Sequence, residues 1–309
     1  MDEIDRTLVA LLGDDGRLSH RELAKAAGVT RATVAVRLRR LLDSGAFTVQ
    51  GVVHPAVLGR GSVCYARIEV DGAAAPVADA VADLPEVVYV SITTGRFAVA
   101  AEIRTGSGDA ADAVLARLRG LPGVVRAETL AYREVIRDAV GPVGEATAQL
   151  DAADIALLQA LERDGRASYV ELAAEAGLSA AAARRRVRRL VEGSVVRIGP
   201  IVSRGSEHAM GMGIHVRGAA REAARDVDAV DGVRFLARTV GSFDLLATVR
   251  APSAVGLAET VDAVRSLSAV AGVETWSHLR FVKESYASLG AAGWGQPAPD
   301  SIRSRSRTQ

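Results

Sequence analysis

The chain contains itself twice. Residues 5–41 lie over residues 154–190 without a gap, at a shift of 149, and 17 of those 37 positions are identical. The matches include Asp15-Gly16-Arg17-x-Ser19 against Asp164-Gly165-Arg166-x-Ser168, and Glu22-Leu23-Ala24 against Glu171-Leu172-Ala173. They also include Arg37-x-Arg39-Arg40-Leu41 against Arg186-x-Arg188-Arg189-Leu190. Alanine-rich composition produces scattered coincidences, but not Asp, Gly, Arg, Ser and Glu in register. Further on, Thr94-Gly95-Arg96-Phe97 answers Val240-Gly241-Ser242-Phe243 at a shift of 146, and Pro122-Gly123-Val124 answers Ala271-Gly272-Val273 at 149. The period is too long for a solenoid, so the repeat is a duplicated two-domain unit. A length of 309 residues agrees with more than one domain.

Composition narrows the class. Apolar residues make up 49% and charged residues 24%, as in a globular protein with a real core. Net charge is only +1, so any nucleic-acid binding must rest on local clusters. The single cysteine, Cys64, excludes a disulfide within the chain and a multi-cysteine metal site, and suits a reducing compartment. Met1 to Asp5 is acidic where a secretion signal would be basic, and no apolar run approaches the ~20 residues that span a bilayer. A soluble, cytoplasmic protein without membrane contact is expected.

In the first copy, Ile4, Leu8, Leu11 and Leu12 recur at helical spacing, and Asp14 to Arg17 end that helix. Ser19 with Glu22 forms a capping-box pattern for a short second helix that stops at Gly28. Thr30 then caps a third helix running to about Ser44, with Val34, Leu38 and Leu41 on one face. Helix, tight turn with glycine, helix is the helix-turn-helix pattern. The third helix carries Arg31, Arg37, Arg39 and Arg40 before any acid appears at Asp43. Arg31, Thr33, Val36, Arg37, Arg39 and Arg40 are therefore candidates to meet double-stranded DNA, bases first and phosphates after. The second copy offers Arg184, Arg185, Arg188 and Arg189 behind an all-alanine first turn, which suits backbone gripping more than base reading. Arg37 and Arg186 sit nearer the buried face and can equally be structural, paired with Asp15 or Asp164.

The remainder of each copy reads as strand, helix, strand, strand, helix, strand. In copy one these are Ser62–Val70, Pro76–Leu84, Val87–Thr93, Phe97–Ile103, Asp109–Arg119 and Val124–Arg133, after a lead-out strand at Phe47–Val53. This β-α-β-β-α-β order is ferredoxin-like, and copy two repeats it. The fold class is therefore α+β: two tandem units, each a winged-helix-like helix-turn-helix followed by a ferredoxin-like domain. The expected boundaries are helix-turn-helix 1–58, sensing domain 59–137, linker 138–149, helix-turn-helix 150–207, sensing domain 208–287, and a disordered basic tail 288–309. Helices cover one face of such a sheet, and the other face needs a partner, so the sheets should pair.

The pattern from Asp5 through Asp15-Gly16-Arg17-x-Ser19-x2-Glu22-Leu23-Ala24-x3-Gly28-Val29-Thr30-x6-Arg37-x3-Leu41-x3-Gly45 resembles the N-terminal signature of the leucine-responsive/AsnC regulators. Gly241-Ser242-Phe243-Asp244 resembles the Gly-x-aromatic-Asp turn of that family's amino-acid-sensing domain. The resemblance implies DNA binding, dimerisation through the sheets, and a small-molecule effector (an amino acid or derivative) near Thr239, Gly241, Ser242 and Asp244, with Gly95 in the equivalent turn. It implies no cofactor and no enzymatic activity. Copy one has Ala98 where copy two has Asp244, which puts sensing by copy one in question. A duplicated chain can be its own pseudo-dimer, or each half can pair with a second chain, giving at least a homodimer. The fold also occurs in siroheme decarboxylases, so a tetrapyrrole enzyme is an alternative, as is a metabolite-binding module without DNA contact. The five histidines (His20, His54, His208, His215, His278) show no metal-ligand spacing.

Overall fold

The computed structural model describes residues 1–146, 149–202 and 208–286; the expected tail lies outside them. Unit one comprises α1 (Glu3–Asp14), α2 (His20–Ala27), α3 (Arg31–Asp43), β1 (Phe47–Val53), a 3-10 turn (Pro55–Leu58), β2 (Ser62–Val70), α4 (Ala74–Ala82), β3 (Val87–Thr93), β4 (Val99–Thr105), α5 (Gly108–Arg119) and β5 (Val124–Asp138). Unit two follows with α6 (Ala152–Arg163), α7 (Tyr169–Ala176), α8 (Ala180–Glu192), β6 (Val196–Val202), β7 (His208–Val216), α9 (Ala220–Asp228), β8 (Val233–Val240), β9 (Leu245–Ala251), α10 (Ala254–Arg265) and β10 (Val270–Glu284). Local chemistry sets these ends. Ser19 and Ser168 form capping boxes with Glu22 and Glu171, while Gly28 and Gly177 close α2 and α7 in the left-handed conformation.

The two helix-turn-helix modules form one body. β1 and β6 are lone strands in their own modules, and a lone strand leaves its amides unpaired. They solve this by pairing antiparallel, with Phe47 opposite Val202 and Val53 opposite Val196. Around them Leu8, Leu12 and Phe47 share an apolar cluster with Leu157, Leu161 and Ile198. Each module also reaches into the other. Arg17 donates to the carbonyls of Gly165 and Ala167, both at 2.8 Å, and Arg166 donates to those of Gly16 and Leu18 at 2.9 and 3.1 Å.

Inside each module a buried aspartate ties the first helix to the third. Asp5 is 1% exposed, receiving Arg37 at 2.9 Å and Arg40 at 2.6 Å, and Arg37 also meets the N-cap Asp2. Asp154 and Asp151 receive Arg186 and Arg189 in the same way. The structural partners of Arg37 and Arg186 are thus these helix-start acids, not Asp15 or Asp164. Those two aspartates instead accept backbone N–H groups of Arg17 and Arg166 in the turns after α1 and α6.

The ferredoxin-like halves close on each other within the single chain. Their eight strands form a closed barrel, in the order β10-β3-β4-β2-β5-β8-β9-β7. β5 pairs with β2 of its own unit through Ala131, then with β8 of the other unit from Ala131 to Asp138. β10 does the same, leaving β7 at Ser277 and joining β3 from His278. The sequence places the end of β5 at Arg133; β5 runs to Asp138 and β10 to Glu284 because the far ends find ladder partners in the other unit. The pairing that motivated a second copy is therefore met inside one chain. Each extension is pinned by a cation on the opposite helix end: Arg137 donates to the Asp228 carbonyl that ends α9, and Lys283 to the Ala82 carbonyl that ends α4. Helices α4, α5, α9 and α10 cover the outside over two apolar clusters, and aromatic residues fill the inside. β4 is buried along its whole length, as a strand covered on both faces must be.

Replacing the buried carboxylate should loosen α1 from α3. Asp5→Asn and Asp154→Asn are each expected to lower stability by about 2 kcal/mol, the worth of charge-assisted hydrogen bonds, and to add in the double variant because the sites are separate. Hydrogen bonds from Arg37 and Arg186 hold the Asp2 and Asp151 carboxyls below their ordinary value of 3.8. That contribution is complete above the ordinary value and is lost as pH falls through the lowered one. Urea denaturation at pH 7 and pH 3 should therefore show a lower midpoint in acid, and an equal midpoint would contradict this network.

Candidate nucleic-acid interface and effector turn

Helices α3 and α8 present their basic outer faces from the paired modules. On α3, Arg31 and Arg39 are exposed, and Val36 is 69% exposed between them. On α8, Arg184, Arg185 and Arg188 are exposed. Among the described residues none of these five arginines has an ion-pair partner, so their guanidinium groups face solvent. The other candidates stand differently. Thr33 shares its hydroxyl with that of the N-cap Thr30 at 2.8 Å. Arg37, Arg40, Arg186 and Arg189 are engaged by Asp2, Asp5, Asp151 and Asp154. Arg40 and Arg189 nonetheless keep 59% and 52% of their side chains exposed, leaving donors available on the same surface.

The two sensor-like turns each dock on the long strand of the opposite unit. The Thr94 N–H donates to the Ser277 carbonyl of β10, and the Ser277 N–H donates to the Thr94 hydroxyl. In unit two, Gly241 lies so close to the Thr129 carbonyl and Leu130 of β5 that a side chain there would collide. Both turns are closed alike: the Thr93 hydroxyl donates to the Phe97 carbonyl at 2.6 Å, and the Thr239 hydroxyl to the Phe243 carbonyl at 2.7 Å. This closure moves the start of the second hairpin strand from Phe97 to Val99. Phe97 is instead buried, with the Arg67 guanidinium over its ring.

The turns differ in what surrounds them. In turn one Arg96 is held by Glu69 at 2.8 Å and lies over the Phe97 ring. Buried Arg67 stacks on the same ring at 4.3 Å, on Trp276 at 4.5 Å and near Phe243 at 5.2 Å, and is held by Glu128 and Glu274. In turn two the corresponding residues are Ser242 for Arg96 and Gly213 for Arg67. Gly241 and Ser242 are exposed. The Asp244 carboxylate accepts the Val216 N–H at 3.0 Å, so it fastens the turn to β7. Thr239, Gly241, Ser242 and Asp244 thus come together in one turn, whereas Gly95 belongs to the other. Arg67 and Trp276 were not singled out in the sequence. The only signal was that the second copy has glycine at positions 211 and 213, where a side chain would overlap Trp276 and Phe243.

The barrel also encloses a charged pair. Arg104 donates to Glu102 at 2.7 Å, and the Tyr132 hydroxyl reaches the same carboxylate at 3.2 Å. Burial pushes the Tyr132 and Tyr65 phenols well above their ordinary range, so both stay neutral, Tyr132 donating to Glu102 and Tyr65 accepting the Trp276 indole N–H at 3.3 Å. Burial likewise pushes the Cys64 thiol up to about 11, which makes it a poor nucleophile. Among the described residues no cluster of acids, histidines and cysteine could hold a metal ion. None of their helices is long and apolar enough to cross a membrane.

Comparison with known proteins agrees with this architecture. The AsnC-type helix-turn-helix domain matches residues 1–42 and 150–191, and the Lrp/AsnC ligand binding domain matches residues 63–139 and 212–288. The HTH-type transcriptional regulator FL11 of Pyrococcus horikoshii is 30% identical over 132 residues, covering 42% of this chain and 87% of the relative. The HTH-type transcriptional regulator LysM of Sulfurisphaera tokodaii is 27% identical over 137 residues, covering 43% and 97%. Each such relative corresponds to one unit. Over the whole chain, the siroheme decarboxylase NirDL has the same fold, with a TM-score of 0.61, 16% identity, and coverage of 92% of this chain and 93% of that one. With both domain types matched twice and a regulator matched at 30% identity over most of its length, the chain belongs to the Lrp/AsnC family.

Proposed function

We propose that this chain is a cytoplasmic transcription regulator that binds double-stranded DNA through α3 and α8 and responds to an amino acid or a related metabolite. The observation that carries this reading is the set of exposed arginines on α3 and α8, on modules joined by one strand ladder and one apolar core. A paired β1–β6 ladder and a shared core fix the two helices relative to each other, as recognition of two half-sites requires. Arg31, Arg39 and Val36 on α3 suit base reading, with Val36 placed for contact with a thymine methyl group. Arg184, Arg185 and Arg188 follow the alanine-rich first turn of α8 and suit phosphates. Arg40 and Arg189 add phosphate contacts while bracing Asp5 and Asp154.

The effector is assigned to the turn at Thr239, Gly241, Ser242 and Asp244. Its exposed Gly241 and Ser242 offer an amide and a hydroxyl, while turn one, equally exposed at Gly95 and Arg96, lacks the carboxylate of Asp244 and has its arginine engaged by Glu69. Copy one thus reads DNA more than it senses, and copy two senses more than it reads. The likeness to a siroheme decarboxylase supports a shared fold, and a tetrapyrrole enzyme is the competing reading. A haem-like absorption band in the purified chain would favour that alternative.

Binding to DNA from the protein's own upstream region, measured across a salt series against unrelated DNA, tests the regulator. Arg39→Ala is expected to cost about 1–3 kcal/mol on the preferred site and to relax its sequence preference. Arg188→Ala should weaken all duplexes alike and reduce the salt slope by about one unit. Binding no better than to random DNA at every salt would defeat the reading. For the sensor, an amino acid present at about 100 times its Kd should stabilise the chain by about 2.7 kcal/mol in thermal denaturation. Ser242→Arg, which installs the turn-one residue, should abolish that gain, and Arg96→Ala should leave it; the reverse outcome would move the site to turn one.

A further inference from the structure

The two helix-turn-helix modules are near copies, but the clefts where they meet are not. Ser19, His20, Arg21 and Arg31 of unit one and Arg166 of unit two line an open cleft of about 360 Å³. At the repeat shift the corresponding residues are Ser168, Tyr169, Val170, Ala180 and Arg17. There the guanidinium of Arg17 lies 4.4 Å from the centre of the Tyr169 ring, which covers it. On the His20 side no aromatic ring replaces the imidazole, and two further arginines join the one that crosses over.

Three arginines and a histidine line the cleft, and no carboxylate is among its lining residues. Burial, with the nearby charges of Arg166 and Arg31, holds the His20 imidazole below its ordinary value. Arg166 is itself depressed by burial and by Arg17, against the opposing charges of Asp164 and Asp15. The nearby carboxylates act on these arginines from outside the lining, Asp15 and Asp164 on Arg166 and Glu22 on Arg21, and each is held in place by a backbone N–H. Glu22 accepts the Ser19 N–H, and Asp15 and Asp164 accept the N–H groups of Arg17 and Arg166. Among the described residues Arg21 and Arg31 have no ion-pair partner. Guanidinium groups converging from two sides match an oxyanion with several acceptor oxygens, as a phosphate has.

We propose that this cleft is a phosphate site built jointly by both units and present in one of the two copies. It rests on the DNA-binding reading in one respect. Arg31 is also the first residue of α3, so a helix docked in the major groove would bring the cleft to the adjacent backbone phosphate. A single extra anchor on one side gives a pseudo-symmetric pair a preferred direction on DNA. The same chemistry would accept the phosphate of a free metabolite, and the experiment separates the two sources.

The test uses the full chain and exchanges residues between copies, since each copy already accommodates its own set. One variant carries His20→Tyr and Arg21→Val; the other carries Tyr169→His, Val170→Arg and Ala180→Arg. Arg166 is left in place because it holds the Gly16 and Leu18 carbonyls. Salt dependence of duplex binding and a calorimetric titration with inorganic phosphate are measured on both and on the unaltered chain. The first variant should lose about one unit of salt slope and the second should gain about one. Unchanged slopes with phosphate binding lost in the first variant and gained in the second would assign the cleft to a free phosphate and still support the site. Equal slopes and equal phosphate binding in all three proteins would overturn it. Should the unaltered chain bind no DNA, the regulator reading falls, and the phosphate titration alone decides the cleft.

Discussion

Everything in this molecule depends on two strands changing partners midway. β5 and β10 each begin in their own sheet and finish in the other, at Ala131 and at Ser277–His278. A four-stranded ferredoxin-like sheet has two free edges and one uncovered apolar face. Exchanging the strand ends closes both edges into a barrel and covers both inner faces at once. Once closed, the barrel sets where each sensor-like turn lies, because each turn rests on the exchanged strand of the opposite unit. It also holds the units close enough for β1 and β6 to pair, and so fixes α3 relative to α8.

Fusing two units into one chain removes the symmetry that a homodimer imposes. In a symmetric pair every interface residue appears twice. Here Arg67 sits among Phe97, Phe243 and Trp276, and its counterpart is Gly213. Two guanidinium groups packed into that aromatic centre would repel and lack carboxylates, whereas one is balanced by Glu128 and Glu274. The same freedom lets Ser242 replace Arg96 at one turn and lets Tyr169 replace His20 at one cleft. Divergence between the halves therefore extends to places where the two units touch, while the helix caps and the Asp–Arg braces stay equal in both.

The basic surfaces illustrate how one helix serves two purposes. Arg37 and Arg40 reach back to a buried carboxylate that holds α1, and Arg31 and Arg39 face outward from the same helix. A count of arginines does not separate these roles, because helical phase alone places Arg39 and Arg40 side by side. The direction of each side chain, and the acid it meets, separates them.

Much of this was legible in the sequence because it is governed by near neighbours along the chain. The capping boxes at Ser19 and Ser168, the left-handed glycines at 28 and 177, and the strand at Phe47–Val53 follow from local spacing and backbone preference. The repeat itself declared two units and a helix-turn-helix in each. What the sequence could not decide lies at contacts between residues far apart in it. Whether the sheets pair within the chain, how far β5 and β10 run, and which acids meet Arg37 and Arg186 are set by partners 32 or more positions away. The buried Arg67 is of the same kind, since its neighbours come from the turn before β4, the turn before β9, and β10. Local pattern determines which elements form, and only tertiary packing determines which edges, faces and charges they satisfy in one another.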